Sequence, residues 1–289
     1  MKKILTAAVA ALMASVLLAG CSAGEVGGTT STPGTDGSMS SSDELKGKLV
    51  FAGSSSMTDI NNALTEAFKK KNPGVTVEVE GKGSGTAIPA LADGTAQIGS
   101  LSRDVKAEEN AEGKYTAVTI ALDGIAIVVN PANGVADLTK EQIAGIFTGE
   151  ITNWNQVGGD DGAIMVLGRE EGSGTRDGFE EIVGVKGKCQ YNSLYGETGD
   201  VVSKVASEKA AIGYVSYASV KDSIKAVKVG GVSASESTIA DKSYVIQRPF
   251  VYTYLKNTED EVIKAYMEFV KSSEGQSLIK ADKLVPQSF

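Results

Sequence analysis

Beyond residue 45 the chain alternates short apolar runs with stretches whose apolar residues recur every three to four positions, the pattern of strands followed by helices. Lys48 to Ala52 reads as a strand running into Gly53-Ser54-Ser55-Ser56. Ile60, Leu64, Ala67 and Phe68 then mark one face of a helix that Asn72-Pro73-Gly74 ends. Ser56 with Asp59 three residues on has the form of a capping box. Val75 to Val79 alternates apolar and polar residues and leads into Gly81-Lys82-Gly83-Ser84-Gly85-Thr86. Gln97 to Leu101 is a further short strand, ending at Ser102-Arg103. This βαβαβ opening predicts a parallel sheet covered by helices, with the ligand crevice at the carboxyl ends of its strands.

Tyr115 to Asn130 is a long, nearly apolar stretch interrupted by Asp123-Gly124, where the glycine suggests a crossing between two lobes. Leu138 to Phe147 reads as a helix, Ile164 to Leu167 as a strand, Thr175 to Val183 as a helix and Ala211 to Val215 as a strand. Tyr244 to Leu255 returns as an extended segment rich in aromatics, followed by helices at Glu259 to Val270 and Glu274 to Lys280. A chain that leaves one α/β lobe, builds a second and returns to finish the first makes two crossings and encloses a cleft.

The N-terminus changes the picture of where such a protein works. Lys2 and Lys3 precede an apolar run from Ile4 to Ala19, short for a bilayer span, so residues 1–20 are expected to be a secretory signal peptide. Leu18-Ala19-Gly20-Cys21 matches the bacterial lipobox, which makes Cys21 the expected lipidation site and the mature N-terminus. Residues 21–45, mostly Gly, Ser and Thr, hold too little apolar surface to order themselves and are expected to form a flexible tether. Asp43 to Phe289 is long enough for one large or two medium domains.

Charge and residue usage exclude several classes. Loss of Lys2 and Lys3 with the signal leaves 26 basic against 36 acidic residues, a formal charge of −10, and the longest basic run is Lys69-Lys70-Lys71 at a helix end. Nucleic acid is not an expected partner, and a bound anion must be held by local donors against the net field. The chain has no histidine, which removes the commonest general base and metal ligand. Cys189 is left alone once Cys21 is lipidated, so no metal site or disulfide is expected, and Cys189 reads as a small buried residue. Gly83-Ser84-Gly85 and Gly172-Ser173-Gly174 each begin a dinucleotide-type motif, but Ile88 and Asp177 stand where its third glycine belongs. Ser277-Leu278-Ile279-Lys280 fits a Ser-x-x-Lys pattern without its companion motifs. No cofactor is expected.

What the chain does contain is an anion cradle. Gly168-Arg169-Glu170-Glu171-Gly172-Ser173-Gly174-Thr175-Arg176 lies between an apolar run and a helix, so the first N–H groups of that helix lack intrahelical partners. Gly172 and Gly174 allow close approach to the backbone, Ser173 and Thr175 add hydroxyls, and Arg169 adds a forked guanidinium. Glu170 and Glu171 are expected to orient Arg169. Gly53 to Ser56 and Gly83 to Thr86 are two further Ser/Gly loops at the same crevice. In the middle one, Pro89 sits where a helix starting at Ser84 would need a donor.

These residues resemble the phosphate-binding proteins of bacterial phosphate ABC transporters, the PstS family. The likeness extends from about Lys48 to Gln287. It is carried by Gly53-Ser54-Ser55-Ser56, Gly83-Ser84-Gly85, Asp123-Gly124-Ile125-Ala126, Ile146-Phe147-Thr148-Gly149, Ile151-Thr152-Asn153-Trp154, Arg169 with Gly172-Ser173-Gly174-Thr175, and Ala211-Ile212-Gly213-Tyr214-Val215. The resemblance implies a two-lobed α/β periplasmic-binding-protein fold of class II. Residues 46–126 and 248–289 would form one lobe and 127–247 the other, closing over inorganic phosphate for an ABC permease.

It also implies a phosphate site drawn from Ser54, Ser55, Ser56, Ser84, Ser102, Arg103, Asp123, Arg169, Ser173, Gly174 and Thr175 in a non-enzymatic, monomeric lipoprotein. Where better-known relatives place an aspartate after the third strand to accept the phosphate proton, this chain has Ser102 followed by Arg103. Asp123 is the candidate substitute; its other possible roles are to pair Arg103 or Arg169, or to cap the turn. A binder of sulfate or molybdate, or a secreted phosphate-ester hydrolase, are the other readings of the same cradle.

Overall fold

The first apolar run forms strand β1 (Gly47–Gly53), buried from Leu49 onward, and the serines after it turn the chain into helix α1 (Thr58–Lys71). The computed structural model describes residues 44–287; the expected signal peptide, Cys21 and nearly all of the tether lie outside them. The capping box expected at Ser56 and Asp59 does not form. Ser54 instead caps a short 3-10 turn, Ser55–Met57, through its hydroxyl, and α1 starts from that turn with no side-chain cap. Lys69, Lys70 and Lys71 end the helix, where cations suit its dipole.

Strand β2 (Val75–Glu80) leads to a second 3-10 turn, Ser84–Thr86, and to helix α2 (Ala87–Ala92). Pro89 is accommodated because α2 begins only at Ala87, which places the proline in a first turn that needs no donor there. Strand β3 (Ile98–Leu101) follows, and β1 pairs in parallel with both β2 and β3.

Strand β4 (Tyr115–Val129) is one continuous strand through Asp123-Gly124, not two broken there. A side chain at Gly124 would press on Ile239, so close packing accounts for this glycine. The chain continues through β5 (Asp137–Leu138), α3 (Lys140–Phe147) with a Thr139–Gln142 capping box, β6 (Met165–Arg169) and α4 (Gly174–Val183). Then come β7 (Ser193–Tyr195), α5 (Thr198–Ser207), β8 (Ala211–Ser216), β9 (Lys225–Ala226), β10 (Lys228–Val229) and α6 (Glu236–Ala240). Strand β11 (Gln247–Leu255), helices α7 (Glu261–Lys271) and α8 (Ser273–Ala281), and β12 (Val285–Pro286) complete the described chain.

The main sheet runs in the order β2-β1-β3-β11-β4-β8-β6-β7. Its β1–β3 end is parallel, as expected, but β11 enters antiparallel to both β3 and β4, and β4 is antiparallel to β8. Strand β4 belongs to both halves: Tyr115 to Gly124 pair with β11, and Ile125 to Val129 with β8. Each half has its own core. One gathers Phe51, Ile60, Phe68, Phe250, Tyr252 and Tyr266 under α1 and α7; the other gathers Ile127, Phe147, Trp154, Phe179, Ile212 and Tyr214. Among the described residues no helix is long and apolar enough to cross a membrane.

Asp282 is set against its surroundings. It closes the C-terminus of α8, where the helix dipole disfavours an anion, and partial burial with the nearby charges of Asp59 and Asp123 pushes its carboxyl up to about 7. A carboxyl raised in the folded state favours folding fully below its ordinary value near 3.8, and that contribution is lost as pH rises through 7. Asp282→Asn, neutral throughout, should therefore gain thermal stability over the parent chain between pH 4 and pH 7 and keep the gain at pH 8. Melting curves at these three values check it; a constant difference would refute the assignment.

Candidate functional site

The carboxyl end of β1 and the N-termini of α4 and α5 meet where the two halves face one another, and the side chains they bring together are almost all hydroxyls. Ser54 donates to Ser102 Oγ at 2.8 Å, and Ser102 lies 3.3 Å from Ser84 Oγ and donates its backbone N–H to that hydroxyl. From the other half, Thr175 Oγ1 lies 2.8 Å and Thr198 Oγ1 3.0 Å from Ser56 Oγ. Ser55 Oγ accepts from the backbone N–H of Thr198. All of these side chains except that of Ser55 are buried. A hydroxyl donates and accepts, so such a group can turn its donors toward an oxyanion at little cost in geometry.

Arg169 supplies the charge. It ends β6 with 2 % of its surface exposed; Nη1 donates to Thr198 Oγ1 and Nη2 to Ser55 Oγ, at 2.9 and 3.0 Å. Its Nε donates to the carbonyl of Tyr195 and Nη2 also to that of Gly196, so carbonyls and hydroxyls, and not Glu170 or Glu171, orient it. Burial pushes its guanidinium down to about 10, which leaves it charged at neutral pH. Its peptide is clamped as well: the N–H donates to Tyr214 Oη and the carbonyl accepts from Arg176 Nη1, and Tyr191 and Glu180 tie Tyr214 and Arg176 together.

Helix α4 approaches backbone first. Ser173 caps it by accepting from the N–H of Arg176, and a Cβ on Gly174 would collide with the hydroxyls of Ser84 and Ser102. The N–H of Gly85 donates to the carbonyl of Gly172 at 2.9 Å, joining the Gly83 to Thr86 turn to the cradle loop. The structure thus brings Ser54, Ser55, Ser56, Ser84, Ser102, Arg169, Ser173, Gly174 and Thr175 to one place. It sets Arg103 and Asp123 beside that place with other partners: Arg103 forks onto Glu109, and Asp123 binds Arg248. Among the described residues no group of three or more Cys, Asp and Glu is positioned to hold a metal ion.

Known proteins share this architecture. A model of the PBP superfamily domain matches residues 29–274. The phosphate-binding protein PstS of Bacillus subtilis (strain 168) is 30% identical over 277 residues, a span covering 94% of this chain and 90% of its own length. The chain belongs to the PstS family. A phosphate ABC transporter substrate-binding protein from Clostridium perfringens, solved with bound phosphate, superposes with a TM-score of 0.81 at 41% identity, covering 84% of this chain and 100% of that one. An ABC-type phosphate transport receptor from Vibrio cholerae superposes with a TM-score of 0.68 at 34% identity, covering 83% and 100%. The fold is the two-lobed solute-binding fold of these neighbours.

Two residues of this PstS-family chain were not singled out by its sequence. Thr198 touches Ser55, Ser56 and Arg169 together, and its signal lay in Gly196-Glu197-Thr198-Gly199 ahead of the helically spaced Val201, Val202 and Val205. Arg248, 3 % exposed, stands directly opposite Asp123 across β4 and β11. It donates from Nε and Nη2 to Asp123 Oδ2 at 3.2 and 3.1 Å and from Nη1 to the carbonyl of Ser102. Its signal was a lone cation at the head of an apolar strand. Asp123 Oδ1 accepts from Ser216 Oγ at 2.8 Å. Burial pushes the Asp123 carboxyl up and the Arg248 guanidinium down, and each is the main group offsetting the other's shift.

Proposed function

We propose that this chain captures inorganic phosphate between its lobes and delivers it to the permease of an ABC transporter, without catalysing a reaction. The observation that carries the reading is the buried cluster of hydroxyls from both halves around one guanidinium, with no carboxylate among its hydrogen-bond partners in the described residues. A tetrahedral oxyanion wants several short donors and one compensating charge, and a two-sided cluster releases it only when the halves part. The PstS-family relatives, whose names state phosphate binding, and the phosphate-bound neighbour support the same ligand. An esterase reading has less support, since among the described residues no nucleophile paired with a base accompanies the cluster.

In this reading residues 46–126 with 248–289 form one lobe and 127–247 the other. Residues 1–20 direct export, and a lipid on Cys21 holds a monomer to the outer face of the cell membrane through the tether of residues 21–45. Ser54, Ser55, Ser56, Ser84, Ser102, Arg169, Ser173, Gly174 and Thr175 would contact phosphate, joined by Thr198. Asp123 has the least geometric support as a ligand contact, since its oxygens are taken by Arg248 and Ser216. Titration calorimetry on the purified chain should show saturable one-to-one phosphate binding, with sulfate a weaker competitor. Sulfate binding as well as phosphate would replace the reading with that of a general oxyanion binder.

A further inference from the structure

We propose that Arg103, Lys106 and Asp177 form an interlobe latch that holds the closed arrangement and so sets how slowly phosphate leaves; the inference rests on the phosphate reading above. Arg103 directly follows Ser102 at the end of β3, whereas Asp177 lies in the first turn of α4, the helix whose N-terminus presents Ser173, Gly174 and Thr175. Both Nη atoms of Arg103 are held by Glu109, at 2.8 and 2.6 Å, which fixes the plane of the guanidinium and leaves Nε facing the opposite half. That Nε lies 3.2 Å from Asp177 Oδ2, and Lys106 Nζ lies 3.0 Å from the same oxygen.

Arg103 Nε and Asp177 Oδ2 are both buried, and neither makes a hydrogen bond, even to the other. The contact is therefore one of charge across the lobes, and parting the lobes gives up that attraction. It borders a cleft of about 330 Å³, lined by these residues with Arg248, Gly178 and Pro249. Each residue acts through position and does not touch the ligand cluster. Arg103 holds the end of β3 against α4, and Asp177 holds the N-terminus of α4 against Ser84 and Ser102. Apparent affinity falls in proportion to the closed fraction, so weakening the latch weakens binding without changing a single ligand contact.

A purely electrostatic role for Asp177 predicts the opposite sign. A carboxylate in the first turn of α4 opposes an anion bound at that helix N-terminus, and neutralising it would tighten phosphate binding. The test is calorimetry and stopped-flow release of inorganic phosphate from the parent chain, Asp177→Asn, Arg103→Gln and the double variant. The latch predicts release about fivefold faster or more in each single variant, association changed less than about twofold, and a double variant no faster than the worse single. Unchanged or slower release in Asp177→Asn overturns the latch.

A parent chain that does not bind phosphate would instead overturn the reading on which the latch rests. Where Asp177→Asn lowers the unfolding midpoint without phosphate, Lys106→Gln, which removes only the exposed arm, decides the matter. Release about twofold faster supports the latch, and unchanged release overturns it.

Discussion

Replacing Arg169 with methionine should weaken phosphate binding by about 30- to 4,000-fold, the equivalent of roughly 2–5 kcal/mol for removing one member of a buried, hydrogen-bonded charge pair. Among the described residues Arg169 is the one cation bonded directly into the hydroxyl cluster, and its fork reaches Thr198 and Ser55 at the same time. Arg169→Lys should fall between the parent and the methionine variant, because an ammonium cannot serve two hydroxyls and two carbonyls from one plane. Calorimetric titration with a parallel melting curve separates lost binding from lost fold. A folded Arg169→Met chain that binds phosphate like the parent would place the ligand elsewhere in the molecule.

Asp123→Asn should lose about 3–5 kcal/mol of stability, the cost of leaving the buried Arg248 charge unpaired. Ordinary domains have about 5–15 kcal/mol to lose, so the variant should unfold at a distinctly lower urea concentration. Replacing both partners by apolar residues, Asp123→Leu with Arg248→Met, should recover most of the loss, since it is the solitary charge that is costly and not the absence of the pair. In whatever fraction of Asp123→Asn folds, the preference for phosphate over sulfate should persist, because the carboxylate is already engaged by Arg248 and Ser216. A loss under about 1 kcal/mol, or a vanished preference, would return Asp123 to the ligand site.

The parts of this molecule that could be read from its sequence are those that depend on local pattern. Strands β1 to β3, the long apolar β4 and the aromatic β11 follow from alternation and length, and helices α1, α3, α4, α7 and α8 from periodicity and caps. The Ser/Gly loops were legible because each follows a strand. Less legible was whatever depends on the partner strand. Nothing local to Arg248 says that β11 lies antiparallel to β4 in the register that sets it against Asp123.

Ser56 illustrates the same limit. Its sequence context suggests a cap for α1, but Thr175 and Thr198, more than a hundred residues away, offer its hydroxyl better partners; Ser54 caps only the preceding 3-10 turn, and α1 has no side-chain cap. Thr198 is hard to read from sequence because β7 is only three residues long and its surroundings carry no apolar alternation. Glu170 and Glu171 were expected to orient Arg169. The carbonyls of Tyr195 and Gly196 do so because β7 runs alongside β6 and delivers them in line with the guanidinium.

The paired strands β4 and β11 also fix the direction in which β4 leaves the first half. A ribbon bonded from Gln247–Gly124 to Leu255–Tyr115 yields readily to twist and bend but resists sliding, because a slide must break its cross-strand bonds together. Asp123 and Arg248 act as a rivet where β4 passes from one half to the other. A slip of one residue, about 3.4 Å, would separate them and turn each side chain of the strand to the wrong face. Strand β4 therefore leaves the first half in a fixed register as it enters the second. The hydroxyls that distant parts of the chain bring together owe their alignment to that single register.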